Sequence, residues 1–130
     1  MILGIGTDIL EIERMQFLVQ RFGNKVLHRL FTPQERQYAE RLSYAKQIRF
    51  YAKRFAGKEA VAKALGTGIG AKLSWQDISI LSTPTGEPSL KLSEKVYQTL
   101  LARYSHVQLH VSLSDDKYAI AFVVIEALVR

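Results

Sequence analysis

The segment from Arg54 to Lys63 concentrates side chains that can bind phosphate or a metal ion. Four-residue spacing places Glu59 and Lys63 on one face of a predicted helix, and Arg54 and Lys58 on the adjacent face. Two cations at that spacing repel each other unless an anion lies between them. An ordinary Glu59–Lys63 ion pair beside two solvated cations is the simpler interpretation, and these residues alone favour it.

A glycine-rich loop, Gly66-Thr67-Gly68-Ile69-Gly70, follows this segment directly. Backbone N–H groups of such a loop can bind a phosphate. The loop lacks the Lys-Ser/Thr ending of a P-loop and follows a helix, so a helix cap followed by a turn is the more common explanation. Because Arg54, Lys58 and Lys63 lie nearby in the sequence, phosphate binding is nevertheless a serious hypothesis.

Asp8 is a carboxylate in an otherwise apolar predicted strand, after Gly4-Ile5-Gly6-Thr7. A buried carboxylate is costly unless it is paired or bound to a cation. Exposure at the strand end, or capping of the next helix, explains Asp8 equally well. Together with Glu59 it could hold Mg²⁺, which favours one or two carboxylates plus substrate phosphates. His110 alternates with the apolar residues of its strand, and alone it is most simply a hydrogen-bonded strand histidine.

The bulk composition limits the classes of protein that fit. The chain has 130 residues, of which 48% are hydrophobic, so we expect one domain (1–130) with a substantial core. The absence of cysteine excludes disulfides and thiolate chemistry and is compatible with a reducing cytosol. No run approaches the roughly 20 apolar residues that span a bilayer, and the N-terminus lacks the basic region of a signal peptide. We therefore expect a soluble cytoplasmic protein that does not insert in a membrane.

The charge is distributed unevenly along the chain. The net charge is +6, and residues 14–63 contain twelve Lys or Arg but only three Glu. Such an excess attracts an anionic partner: nucleic acid, an acidic protein, a membrane surface or a phosphorylated small molecule. A solvated basic helical surface explains the charge equally well.

Hydrophobic periodicity and turn residues predict an α+β fold, with a mainly antiparallel sheet packed on helices. The final strand is apolar enough to predict burial on both faces, and the tight turn before it predicts a hairpin. Thr32 and Glu35 predict a capping box at a helix start. The predicted strands are 2–9, 77–82, 89–92, 107–113 and 118–128, and the predicted helices are 11–22, 26–31, 33–42, 45–65 and 94–104.

Four segments, in this order and across nearly the whole chain, resemble the holo-(acyl-carrier-protein) synthases, the small bacterial type of 4′-phosphopantetheinyl transferase. The most specific of the four is residues 54–69. Asp115 departs from the family pattern, since many members carry histidine there, although acidic versions also fit. The segments are Gly4-Ile5-Gly6-Thr7-Asp8-Ile9 with Arg14; residues 54–69; Asp77-Ile78 with Gly86-Glu87-Pro88; and His110-Val111-Ser112-Leu113-Ser114.

The resemblance implies a 4′-phosphopantetheinyl transferase fold and a Mg²⁺-dependent reaction. In that reaction a serine of an acidic apo acyl carrier protein attacks coenzyme A, and adenosine 3′,5′-bisphosphate leaves. Asp8 and Glu59 would bind the metal. Glu59, acting directly or through a metal-bound water, is our hypothesis for the base, and Lys63 would neutralise or protonate the leaving phosphate. The resemblance also implies a homotrimer with active sites between subunits.

The remaining functional positions come from the same resemblance. Coenzyme A would be bound by Lys63 and the Gly66-Thr67-Gly68 loop at the pyrophosphate, with Arg54 and Lys58 near its phosphates. His110 would lie beside the cofactor on the neighbouring strand. The basic surface that docks the carrier protein matches Arg14 and Arg21 on the first helix.

Two other classes of function remain open from the residues. A nucleic-acid-binding module is supported by charge and by aromatic residues such as Phe50, Tyr51 and Phe55, since stacking on bases needs exposed rings. Phe55 shares its helix face with Glu59, however, and an acidic residue is unfavourable on a phosphate-tracking surface. A coenzyme A-binding scaffold without turnover is the second alternative. The Asp8–Glu59 pair argues for catalysis, because a purely cationic groove gains nothing from two carboxylates.

Overall fold

A computed structural model describes residues 1–129 and contains every element that the sequence predicts, with shifted ends. The second predicted helix moves to Asn24–Leu30, and the fifth ends earlier, at Leu101, because Tyr104 already begins a strand. The strands are β1 (Ile2–Glu11), β2 (Ile78–Ser82), β3 (Pro88–Leu92), β4 (Tyr104–Asp115) and β5 (Tyr118–Val129), and the helices are α1 (Ile12–Phe22), α2 (Asn24–Leu30), α3 (Pro33–Ala39), α4 (Tyr44–Leu65) and α5 (Glu94–Leu101).

The main sheet has three antiparallel strands in the order β1-β5-β4, and β2 pairs with β3 in a separate antiparallel hairpin. This confirms the predicted α+β class and the predicted hairpin between β4 and β5. The long helix α4 covers one face of the main sheet. On that face β5 contributes small and branched side chains that are fully buried, namely Ala119, Ala121, Val123 and Ile125.

Two glycines let β1 lie directly against the backbone of α4. A Cβ atom on Gly4 would be 1.8 Å from the carbonyl oxygen of Ala64, and one on Gly6 would be 1.8 Å from that of Ala60. No larger residue fits at that separation. The Gly-x-Gly sequence before Asp8 is therefore a packing requirement, and it brings the end of β1 close to the middle of α4.

The other face of the main sheet is uncovered, so the prediction that β5 is buried on both faces is wrong for the single chain. No other element of residues 1–129 lies over it, and the strand alternates between buried and exposed positions. Apolar side chains that are 45% to 60% exposed lie on this face: Ile5, Ile9, Ile120, Phe122 and Leu128. We call these five residues the outer apolar face.

The start of α3 forms the predicted capping box: Thr32 Oγ1 accepts from the Glu35 amide, and Glu35 Oε1 accepts from the Thr32 amide at 2.8 Å. Among the helices that the structure describes, none is long and apolar enough to cross a membrane.

Candidate active site

Asp8, Glu59 and Lys63 meet where the end of β1 crosses α4. The Lys63 ammonium lies 3.1 Å from Asp8 Oδ1 and donates to the carbonyl oxygen of Thr7 at 2.9 Å. Lys63 thus pairs across the strand–helix contact, with a carboxylate far away in the sequence. The Lys63 side chain is 55% exposed and that of Asp8 only 18%, so the cluster opens to solvent on one side.

Burial raises the pKa of Glu59, and the nearby charge of Asp8 raises it further, while Lys63 acts in the opposite direction. The contribution of Asp8 shows that the two carboxylates lie close enough to repel each other when both are ionised. A divalent cation relieves such repulsion, and Mg²⁺ commonly uses one or two carboxylates together with phosphate oxygens and water. Within residues 1–129 no group of three or more acidic, His or Cys ligands comes together. Asp8 and Glu59 therefore fit magnesium as a two-carboxylate site.

Lys58 does not fit the phosphate-binding position proposed for it from the sequence. Its side chain is fully buried, and its ammonium lies 2.7 Å from Glu35 Oε1. The same nitrogen donates to the carbonyl oxygens of Leu30 at 2.9 Å and Trp75 at 3.0 Å. An ammonium has three donors, and these three contacts use them all. Lys58 therefore ties α4 to α2, α3 and the turn at Trp75 and has no free donor for a ligand.

Arg54 is also buried, with 4% of its surface exposed. Its Nε donates to the Ile80 carbonyl oxygen, its Nη2 donates to Ser82 Oγ, and its guanidinium lies 4.0 Å from the centre of the Phe50 ring. Burial lowers its pKa to about 10, although the charge of Glu35 acts in the opposite direction. Arg54 nevertheless lines a surface cavity, so a ligand phosphate can still approach it.

The glycine loop closes α4, as the helix-cap interpretation predicts. Gly66 has φ of 76°, and its amide donates to the carbonyl oxygens of Ala62 and Lys63. The amide of Gly68 returns to the Ala62 carbonyl oxygen at 3.4 Å, so these two amides are engaged by the helix. Thr67 is exposed between them, and its hydroxyl donates to the Gly68 carbonyl oxygen.

His110 does not join Asp8 and Glu59 within the chain. β5 lies between β4, which carries His110, and β1, which carries Asp8. Its side chain is on the uncovered face of the sheet, paired with Glu126 at 2.6 Å, whereas Asp8 lies on the α4 face.

A basic cavity of about 360 Å³ lies along the N-terminal half of α4 and was missed by the sequence analysis. The loop between β2 and β3 and the end of β4 form its other walls. Four cations line it, namely Lys46, Arg49, Lys53 and Arg54, together with one carboxylate, Asp115. Apart from Arg54, only the general excess of positive charge before residue 63 pointed to it, because its walls come from distant parts of the chain.

The first helix presents the two arginines proposed for carrier docking. Arg14 and Arg21 are exposed, while Met15 on the same helix is fully buried. Phe17, 57% exposed, shares their face by helical spacing, and the Arg21 guanidinium lies 5.6 Å from the centre of the Phe22 ring.

Comparison with known proteins defines the class to which this fold and site belong. Residues 4–123 match the family model described as the 4′-phosphopantetheinyl transferase superfamily. The chain therefore belongs to the 4′-phosphopantetheinyl transferase superfamily, which confirms the resemblance inferred from its sequence.

Individual relatives narrow the class. A holo-[acyl-carrier-protein] synthase of Bartonella henselae is 41% identical, over all of this chain and 99% of that protein. The crystal structure of holo-[acyl-carrier-protein] synthase from Neisseria meningitidis superposes with a TM-score of 0.86 at 36% identity, over 97% of this chain and 99% of that one. The Helicobacter pylori enzyme, solved in complex with coenzyme A, has a TM-score of 0.79 at 37% identity, over 94% and 99% of the two chains.

Proposed function

We propose that this chain, as a single domain, is a holo-[acyl-carrier-protein] synthase that uses Mg²⁺ to transfer 4′-phosphopantetheine from coenzyme A to a serine of an acidic acyl carrier protein. The observation that carries the proposal is the meeting of Asp8, Glu59 and Lys63 at the β1–α4 contact. Two carboxylates and a half-exposed ammonium in one place suit a phosphoryl transfer, in which positioning and charge stabilisation supply most of the catalysis. The choice of substrates rests on the relatives, one of which is named a holo-[acyl-carrier-protein] synthase and another of which was solved in complex with coenzyme A.

In this mechanism a bond forms between the carrier serine Oγ and the β-phosphorus of coenzyme A. The bond from that phosphorus to the bridging oxygen breaks, and adenosine 3′,5′-bisphosphate departs. Glu59 accepts the serine proton as the general base. Lys63 donates a hydrogen bond to the leaving phosphate and balances the charge that develops there.

Asp8 and Glu59 are the residues that would hold Mg²⁺. When bound, the ion supplies charge neutralisation and polarisation of the phosphates. Lys63 pairs with Asp8 at 3.1 Å, and with Asp8 held by the ion its ammonium would be available to the leaving phosphate.

Coenzyme A carries a second anionic group, the 3′-phosphate of its ribose, and the basic cavity is our candidate for its binding site. Arg54 lies on α4 five residues before Glu59, roughly 7–8 Å along the helix axis. The same helix thus offers cations for a nucleotide phosphate at one end and Glu59, one member of the carboxylate pair, nearer the other.

We also propose a homotrimer in which the outer apolar face is covered and active sites lie between subunits. Exposed apolar patches on a sheet mark association surfaces, and nothing in residues 1–129 covers this one. His110 supports a shared site, because it lies on the uncovered face and can reach an Asp8–Glu59 cluster only in another subunit.

The carrier protein would dock on α1, where Arg14 and Arg21 offer positive charge to its acidic surface. Replacing both arginines with Ala should raise KM for the carrier at least tenfold while KM for coenzyme A stays within twofold. An equal rise in both constants would contradict a docking role. Because long-range attraction is screened by salt, the wild-type KM for the carrier should also rise with ionic strength.

The deciding experiment weighs an intact apo acyl carrier protein after incubation with the chain, coenzyme A and Mg²⁺. A gain of one phosphopantetheine, abolished by a chelator and by Asp8→Ala or Glu59→Ala, supports the proposal. Coenzyme A binding without any gain on several acidic carriers would indicate a non-catalytic scaffold. If coenzyme A does not bind at all, the proposed function is wrong, and a salt-dependent shift with single-stranded nucleic acid becomes the next test.

A further inference from the structure

Asp115, at the end of β4, places its carboxylate among the cations of the basic cavity. Its Oδ2 lies 2.7 Å from Arg49 Nη1, and its Oδ1 lies 3.1 Å from Lys53 Nζ. Arg49 Nη1 also donates to the carbonyl oxygen of Asp116 at 2.9 Å. Burial alone would raise the pKa of Asp115, but the hydrogen bonds and charges of Arg49 and Lys53 outweigh it and hold the pKa below its usual range.

These contacts engage three of the four cations that a phosphate in the cavity could use. Of the four cations that line the cavity, Arg49 and Lys53 face the Asp115 carboxylate, and Arg54 is hydrogen-bonded to Ile80 and Ser82. A phosphomonoester carries about −1.5 to −2 charges and takes hydrogen bonds from the same kinds of donor. It must therefore either displace Asp115 from the two cations or bind beside its negative charge.

We propose that Asp115 is a built-in competitor for the 3′-phosphate group of the nucleotide, holding Arg49 and Lys53 and lowering the affinity of the cavity for that group. The inference rests on the proposed function and concerns this chain's discrimination between nucleotides with and without the 3′-phosphate. Since adenosine 3′,5′-bisphosphate keeps that phosphate, the competition also weakens retention of the product.

Asp115 could instead organise the two cations for phosphate binding, and the two roles predict opposite effects of removing its carboxylate on phosphate affinity. As an organiser, Asp115 would hold Arg49 and Lys53 in their binding positions, and losing it would weaken phosphate binding. The geometry points to competition, because both carboxylate oxygens and the Asp116 carbonyl draw the cations toward the β4–β5 turn. Both cations are partly exposed, so each pair is screened by solvent and the effect is modest.

The test measures calorimetric dissociation constants for coenzyme A and dephospho-coenzyme A, which differ only in the 3′-phosphate, without carrier protein. Asp115→Asn should tighten coenzyme A binding about two- to fivefold and leave dephospho-coenzyme A unchanged. Asp116→Asn is the matched control, since it alters net charge equally but keeps both ion pairs, and it should retain the wild-type ratio. Asp115→Glu, which keeps the charge, should stay closer to wild type than Asp115→Asn.

The same measurement in a Lys53→Met background guards against an effect of Asp115→Asn on folding. There the gain from Asp115→Asn should shrink, because one of the two released cations is missing. An unchanged or weakened coenzyme A affinity in Asp115→Asn, or an equal gain for both ligands, would overturn the role of Asp115 and leave the proposed function intact. If the wild type binds neither ligand, both proposals fall.

Discussion

Replacing Lys58 with Met should destabilise the fold and leave coenzyme A binding by the folded protein intact. The ammonium of Lys58 is fully buried, pairs with Glu35 at 2.7 Å and donates to two backbone carbonyls. Removing it strands the Glu35 carboxylate in the core, where it keeps only the amides of Thr32 and Ile80 as partners. A ligand loses nothing, because no donor of Lys58 is free to reach it.

The magnitude follows from the burial of both partners. Removing one member of a buried ion pair typically costs 3–5 kcal/mol, since it leaves an uncompensated charge out of water. A domain of this size has a total stability of about 5–15 kcal/mol, so the variant should lose about a third to a half of a mid-range stability of about 10 kcal/mol. The melting temperature should fall by roughly 10–20 °C.

The assay combines denaturant unfolding at fixed protein concentration with calorimetric binding of coenzyme A under conditions in which the variant is folded. Lys63→Met is the control, since its half-exposed side chain should change stability by less than about 1 kcal/mol while turnover is lost. Adding Glu35→Gln to Lys58→Met should recover part of the stability, because the buried charge is removed. A Lys58→Met protein with wild-type stability and weakened coenzyme A binding would refute the reasoning and restore Lys58 to the cofactor site.

Three further predictions test the site and its surroundings. Gly6→Ala should lower the free energy of unfolding by about 3 kcal/mol or more, because its Cβ would lie 1.8 Å from the backbone of α4. The control Gly70→Ala, where a Cβ meets open space, should lower it by less than about 0.5 kcal/mol. Equal losses in the two variants would contradict the close packing of β1 on α4. Phe122→Asp on the outer apolar face should produce a monomer in light scattering, and an unchanged oligomer would remove this face from the interface. Lys63→Met should raise the pKa of Glu59 in a carboxyl NMR titration of the metal-free protein, since the ammonium now lowers it; an unchanged pKa would separate the two residues. The activity of the wild-type protein should fall as decreasing pH protonates Glu59.

Much of the fold was predictable because local signals agree with the tertiary structure. The capping box at Thr32 and Glu35, the stop at Gly66 and the turn before Tyr118 all appear where the sequence places them. What the sequence did not predict is the second role of Glu35, whose carboxylate also accepts from the Ile80 amide and pairs with Lys58. These partners are distant in the chain, and local spacing carries no information about them.

The candidate site also has features that the sequence predicted and features that it did not. Spacing correctly placed Arg54 and Lys58 on one helix face and Glu59 and Lys63 on another, but spacing does not show which face is directed toward the core. The structure turns the first face inward, where burial of a charge demands a partner, and leaves Lys63 half exposed.

Because of that orientation, the neighbouring residues Lys58 and Glu59 of α4 have different roles. Lys58 fixes α4 against the rest of the fold, and the next residue, Glu59, takes its position from that anchor while lying near Asp8. The glycines of β1 set the distance between strand and helix from the other side. A change in the anchor should therefore displace the carboxylate pair without touching a ligand, so turnover of a folded Lys58 variant should fall further than its coenzyme A affinity. Equal losses of turnover and affinity would place Lys58 at the ligand instead.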